Sequence, residues 1–267
     1  MTKQSANLHR PVLGTTAGLL SGLALISAVT TQAADPAPPE NKGWESTAAA
    51  GVTLTRGNSK SFTATANVNT QRKWSKDEVL LGASAGYGKT TAVNRTDGLE
   101  DEENRTVGYA KAFGQFNHLF TERFYGALRV DGLNDEIADI HYRLSIAPLA
   151  GYYFIKKPAT TLSADVGPSW IVEKVGDAGA RGYLGIRAGE RFEHKFANGA
   201  RVWQSVDITP EVENWENYVV NFTLGTSAPI TKALSLQVLL EDTYDHQPSP
   251  GRLKNDLKLT AGLAYKF

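Results

Sequence analysis

Ala83-Ser84-Ala85-Gly86-Tyr87-Gly88-Lys89-Thr90 has the spacing of a relaxed phosphate-binding loop, with alanine in place of the first glycine. Such a loop needs a strand before it and a helix after it, whose first amides meet the phosphates. Here the match lies inside an alternating run (Val79, Leu81, Ala83, Ala85, Tyr87) and leads into Asn94-Arg95-Thr96-Asp97-Gly98, so it is a chance match. Histidine offers a second chemistry. His118, His141, His194 and His246 are too far apart in sequence to form a metal pair on one strand face. His141 with Asp135 and Asp139, or His246 with Asp242 and Asp245, has the residue types of an acid–base site. General acid–base catalysis needs these groups in hydrogen-bond reach, and solvated loop histidines are the commoner case. There is no cysteine, which excludes disulfides, thiolate metal sites and cysteine nucleophiles. No catalytic residue, metal set or cofactor is therefore assigned.

Charges at alternate positions are more informative. Arg129, Asp131, Arg143, Asp165, Glu173, Arg187, Arg191, Glu193, Asp207, Glu211 and Glu241 all fall on one side of consecutive period-two segments. If the other side meets lipid, these charges face a lumen, because Arg or Lys facing the bilayer midplane costs about 2–4 kcal/mol. Inside, they can pair across the barrel and fill it, or line a narrow aqueous path. Arg143 against Asp131 or Asp165 is the pairing expected first. Glu100-Asp101-Glu102-Glu103 is either a solvated loop tip or a site for divalent-cation bridging to lipopolysaccharide or for a cationic solute.

The elements that must position these residues are strands. From Trp44 onward, period-two alternation dominates. Tyr218, Val220, Phe222, Leu224, Thr226, Ala228 and Ile230 make one face of a segment whose other face is Val219, Asn221, Thr223, Gly225 and Ser227. Turns between such runs place strands at 44–56, 60–73, 78–91, 105–118, 123–134, 140–154, 160–175, 181–195, 201–213, 217–230, 234–245 and 254–267. Phasing is weakest over 105–118, where Lys111 interrupts either choice of outer face. Every second connection is short, while several of the others are longer and more polar, as periplasmic turns and extracellular loops are. Aromatic residues gather near both sets of ends, as two membrane girdles do. The fold expected is all-β: a transmembrane, antiparallel, up-and-down barrel of about twelve strands over 44–267.

The N-terminus reads as an export signal. Lys3 and Arg10 precede an uncharged run from Val12 to Val29, and Thr31-Gln32-Ala33 closes it with small residues at the cleavage positions. Residues 1–33 are then a signal peptide and 34–43 a proline-rich periplasmic leader. Without Lys3 and Arg10, 26 basic residues face 28 acidic ones, which gives no basic excess for nucleic acid.

Thr260-Ala261-Gly262-Leu263-Ala264-Tyr265-Lys266-Phe267 resembles the C-terminal assembly signal of outer-membrane barrels, with Thr260, Gly262, Tyr265 and Phe267 at its defining positions. The resemblance implies the barrel-assembly machinery as partner, and an outer membrane with its lipid and lipopolysaccharide as the destination. Gly51-Val52-Thr53-Leu54-Thr55-Arg56-Gly57-Asn58-Ser59, Asp131, Tyr142-Arg143 and Gly151-Tyr152 are similar to segments of the YdiY-like family of salt-induced outer-membrane proteins. That family supplies no substrate and no catalytic residue. Three functions stay open: a non-enzymatic barrel, either a narrow channel or plugged by its own ion pairs; an outer-membrane hydrolase working at the extracellular rim; and a soluble periplasmic barrel with an apolar interior. Oligomeric state is not legible.

Overall fold

A computed structural model describes residues 43–55, 59–92 and 103–267. The signal, the leader up to residue 42, and the acidic run apart from Glu103 lie outside the described residues.

Among the described residues twelve strands follow one another without a helix: β1 Glu45–Thr55, β2 Ser59–Lys73, β3 Asp77–Ala92, β4 Glu103–Leu119, β5 Phe124–Asp135, β6 Ile140–Lys156, β7 Thr160–Val175, β8 Arg181–Lys195, β9 Arg201–Pro210, β10 Tyr218–Pro229, β11 Leu234–Asp245 and β12 Asn255–Lys266. Each pairs antiparallel with its neighbours in the chain, and β1 pairs with β12 to close the barrel. Closure removes the free edges that water would otherwise have to satisfy, which is what lets a sheet sit in lipid.

The tight hairpins have local causes. At one end, the Thr121 hydroxyl accepts the Phe124 amide at 2.8 Å, and the Thr231 hydroxyl accepts the Leu234 amide at 3.0 Å. A threonine at the start of a turn substitutes for a backbone acceptor. Gly199, in the Asn198-Gly199 turn, has φ of 82°, a conformation that glycine adopts without steric cost. The opposite end carries longer links between β9 and β10 and between β11 and β12.

The wall is apolar outside. Leu81, Leu128, Val130, Leu144, Ile146, Val166, Leu184, Leu236, Leu259 and Leu263 are exposed, and their neighbours in sequence turn inward. Exposed Trp44, Trp74, Phe120, Phe124, Phe154, Phe196 and Phe267 mark the short-turn end, while Tyr87, Trp170 and Trp215 mark the other. Buried polar groups such as Arg129, Asp165, Glu173 and Arg187 are inside. This is the inverse of the apolar interior and polar exterior that the soluble-barrel reading requires. The ninth strand ends at Pro210 rather than 213, since Glu211–Asn217 folds into a turn of its own.

Candidate functional site

The lumen is built from inward positions of neighbouring strands, and register decides which groups meet. In its middle, Arg129 and Asp131 share one face of β5, and the guanidinium grips the carboxylate through Nε at 2.9 Å and Nη2 at 2.6 Å. The same guanidinium lies 4.5 Å above the Phe113 ring, a cation–π contact. Asp165 of β7, Gly189 of β8 and Asp207 of β9 are direct cross-strand neighbours. A Cβ on Gly189 would stand 2.8 Å from the Asp207 carboxylate and 3.1 Å from Arg187 Nη1. Glycine there leaves the space in which Arg187 reaches both acids, at 2.7 Å to Asp165 and in a short contact with Asp207.

Towards the short-turn end the network becomes amides and phenols. Gln115 Oε1 accepts from Arg129 at 3.1 Å and from Arg191 at 2.9 Å. Gln115 donates to Asn117, Asn117 donates to Glu78, and the Tyr153 hydroxyl donates to the same Glu78 oxygen at 2.5 Å. Tyr125 donates to Asp165 at 3.2 Å and packs on Tyr153 with ring centroids 5.2 Å apart. Buried polar groups need such partners, and a connected network satisfies them together.

At the end opposite the short turns some ion pairs cross the barrel. Lys111 of β4 reaches Glu241 of β11 at 2.5 Å, and Lys258 of β12 approaches Asp135 of β5 at 3.8 Å while lying 4.0 Å above the Tyr109 ring. Arg143 donates to Glu173 at 2.5 Å and comes within 3.6 Å of Asp245 across the lumen. Arg181 joins Glu173 to Glu211 at 3.1 and 3.3 Å. Glu193 lies at the other end, 3.6 Å from Lys195 and 3.7 Å from Arg201.

The wall made by β1, β2, β11 and β12 is different. Ala49, Gly51, Thr65, Asn67, Gln237, Thr260 and Gly262 line a small void there, with no charged side chain among them. At that level the lumen has a crowded, charged side and a side of neutral groups, mostly small, with Leu239 among them.

The expected partner of Arg143 is corrected. Register places Asp131 opposite Ser145 and Asp165 opposite Gly151, whereas Arg143 stands opposite Glu173. Lys111 turns inward, which settles the weak phasing of β4; its outer face is Gly108, Ala110, Ala112, Gly114 and Phe116. Glu78, Gln115, Tyr125, Tyr153, Asp135, Asp245 and Lys258 belong to the lumen network and carried no distinguishing signal in the sequence beyond their alternation. Thr260, Gly262 and Tyr265 lie on β12, and the Phe267 amide donates to Ser46 of β1 at 3.1 Å.

The histidines do not form the acid–base sets considered. His246 bonds the backbone carbonyl of Glu216 at 2.6 Å and stacks on Tyr218, with centroids 4.9 Å apart, rather than meeting Asp242 or Asp245. His141 has no ion pair or side-chain hydrogen bond with Asp135 or Asp139. A His–Asp contact does occur at His118 and Asp77, 2.8 Å apart at the short-turn end. Among the described residues no cluster of His, Asp and Glu is arranged to hold a metal ion.

In overall fold the chain is similar to the NanC porin, at 6% identity and TM-score 0.50, over 84% of this chain and all of that one. It also matches an outer-membrane channel from Pseudomonas putida F1, at 10% identity and TM-score 0.47, over 88% of this chain and 100% of the other. The translocator domain of the autotransporter NalP from Neisseria meningitidis matches at 14% identity and TM-score 0.41, over 84% and 87%. These likenesses concern the fold, that of an outer-membrane β-barrel. No curated protein matches the chain in sequence. A family model does, over residues 48–267, nearly the whole barrel, and the chain belongs to that family, DUF481, described as proteins of unknown function.

Proposed function

We propose that this chain is a non-enzymatic barrel of a Gram-negative outer membrane, acting as a narrow channel for ions or small polar solutes. The observation that carries this reading is the two-sided lumen. In the middle of the barrel, ion-paired groups stand on the β5–β9 side, and Ala49, Gly51, Thr65 and Thr260 line a small void on the β1, β2, β11 and β12 side. On this reading water and small solutes follow that neutral side, and the fixed charges beside it set what passes. Export fits the reading: residues 1–33 serve as the cleaved signal, and β12 with Phe267 is the handle for the barrel-assembly machinery.

Single-channel recording of purified protein in planar bilayers tests it. Discrete conductance steps are expected, and Thr65→Phe or Thr260→Phe, which fill the void, should lower them at least twofold. Steps unchanged by both substitutions would place the path elsewhere. A second reading rests on the cross-barrel pairs Lys111–Glu241, Lys258–Asp135 and Arg143–Asp245, which tie opposite walls together. On that reading the barrel is plugged. It predicts a silent wild type and an active Lys111→Ala variant.

A further inference from the structure

The outward face of β7, β8 and β9 is made largely of Val166, Trp170, Leu184, Ile186 and Ile208, all exposed. One pair interrupts it. Glu190 of β8 stands opposite Ala164 and Val206, the sequence neighbours of the inward Asp165 and Asp207, so Glu190 faces out. Along the chain it is midway between Leu184, level with girdle Trp170, and Phe196 at the short-turn end. Gln204 Nε2 donates to Glu190 Oε2 at 2.8 Å. On the described strands the other outward acids, Asp77 and Asp242, sit near strand ends, where water is close.

Lipid tails offer neither donor nor acceptor, and an ionisable group at that depth is costly unless protein covers it. The bond to Gln204 leaves the second carboxylate oxygen, the amide oxygen and one amide hydrogen with no partner among the described residues. We infer that this face is a two-fold interface between two copies of the chain in the membrane. A two-fold axis beside the pair turns each Gln204 amide hydrogen towards the partner's Glu190, so the same two side chains supply donor and acceptor on both sides. Ala164 and Ala188, flanking Glu190 on the outer wall, keep that wall low and let the barrels approach closely. Neither a lipid chain nor a headgroup at the bilayer surface offers this match at mid-depth.

The absence of cysteine makes the test direct. Val206→Cys, next to the inferred axis, is placed in the full chain, reconstituted into phospholipid vesicles and treated with a short bis-maleimide. A covalent dimer is expected, and none from Ala83→Cys on the outward face of β3. Adding Glu190→Leu to Val206→Cys should cut the dimer at least tenfold, while Glu190→Gln, which keeps the hydrogen bonds, should retain it. Leucine is at home in lipid, so the Glu190→Leu barrel should still assemble, as heat-modifiable migration in gels would show. No dimer from Val206→Cys, equal yields from Ala83→Cys, or a dimer indifferent to Glu190→Leu would each overturn the interface. None of these outcomes depends on whether the lumen conducts.

Discussion

Several inward aromatic rings occupy the space above a glycine on the next strand: Tyr125 opposite Gly151, Phe113 opposite Gly82, Tyr109 opposite Gly86 and Trp203 opposite Gly225. A ring laid over a glycine shields backbone that has no side chain of its own and fixes how the two strands bend. The Gly151 site combines close approach with burial, because a Cβ there would stand 2.1 Å from Tyr125 Cζ, and Tyr125 is only 2% exposed. Gly151→Ala must push the ring away from Tyr153 and Asp165, and overpacking of that kind costs about 1–3 kcal/mol. Urea unfolding in lipid vesicles should show the loss. Gly114→Ala is the control, since its Cβ would meet only Leu81, at 3.4 Å, and should change the midpoint little.

Among the strands, the seam between β1 and β12 differs from the rest. Its ladder joins Thr47–Ala50 to Leu263–Lys266 and goes no further, although β1 runs on to Thr55. The β1–β2 ladder, by contrast, covers all of Glu45–Thr55. Val52, Leu54, Leu257 and Leu259, which flank the unpaired stretch, are exposed to 65%, 69%, 65% and 72%. Backbone groups without a ladder partner open most readily. Amide exchange in lipid vesicles should therefore be fastest, within strands, at Val52–Leu54 and Leu257–Leu259, and slow in the β6–β7 ladder; uniform protection would show the seam to be closed. The strands themselves were legible in the sequence because one face meets lipid and the other a largely polar lumen, so alternation runs through most of the described strands. It failed only where the contrast is weak. On β4 the outer face is alanine and glycine apart from Phe116, and the inner face carries Tyr109 and Phe113, so hydropathy alone could not orient Lys111. Which inward charges pair was not legible, because alternation gives a side chain's face but not its height. Arg143 meets Glu173 through register, and Asp245 only because the sheet closes on itself.

For the whole molecule, closure turns sequence-distant charges into neighbours, and the outer mouth depends on it. Lys111 and Lys258 each reach across from one wall to an acid on the other, Glu241 and Asp135. Lys111 is 43% exposed, so water weakens its attraction to Glu241 and the pair is worth less as a stabiliser than as an obstruction. Lys111→Ala with Lys258→Ala should leave the barrel folded and widen the mouth, raising unitary conductance severalfold in planar bilayers. The same change strips Glu241 and Asp135 of their lysines and leaves Asp256 near Asp135 without Lys258, a net gain of negative charge at this mouth. Rings of carboxylates favour cations. The reversal potential in a potassium chloride gradient should therefore move towards that of potassium, and more so at low salt, where the charges are less screened. A wider pore with unchanged selectivity would mean that permeating ions pass along the neutral strip of Thr65 and Thr260, out of reach of the outer carboxylates. A variant no more conductive than the wild type would place the narrowest point deeper, at Arg129, Arg187 and Arg191.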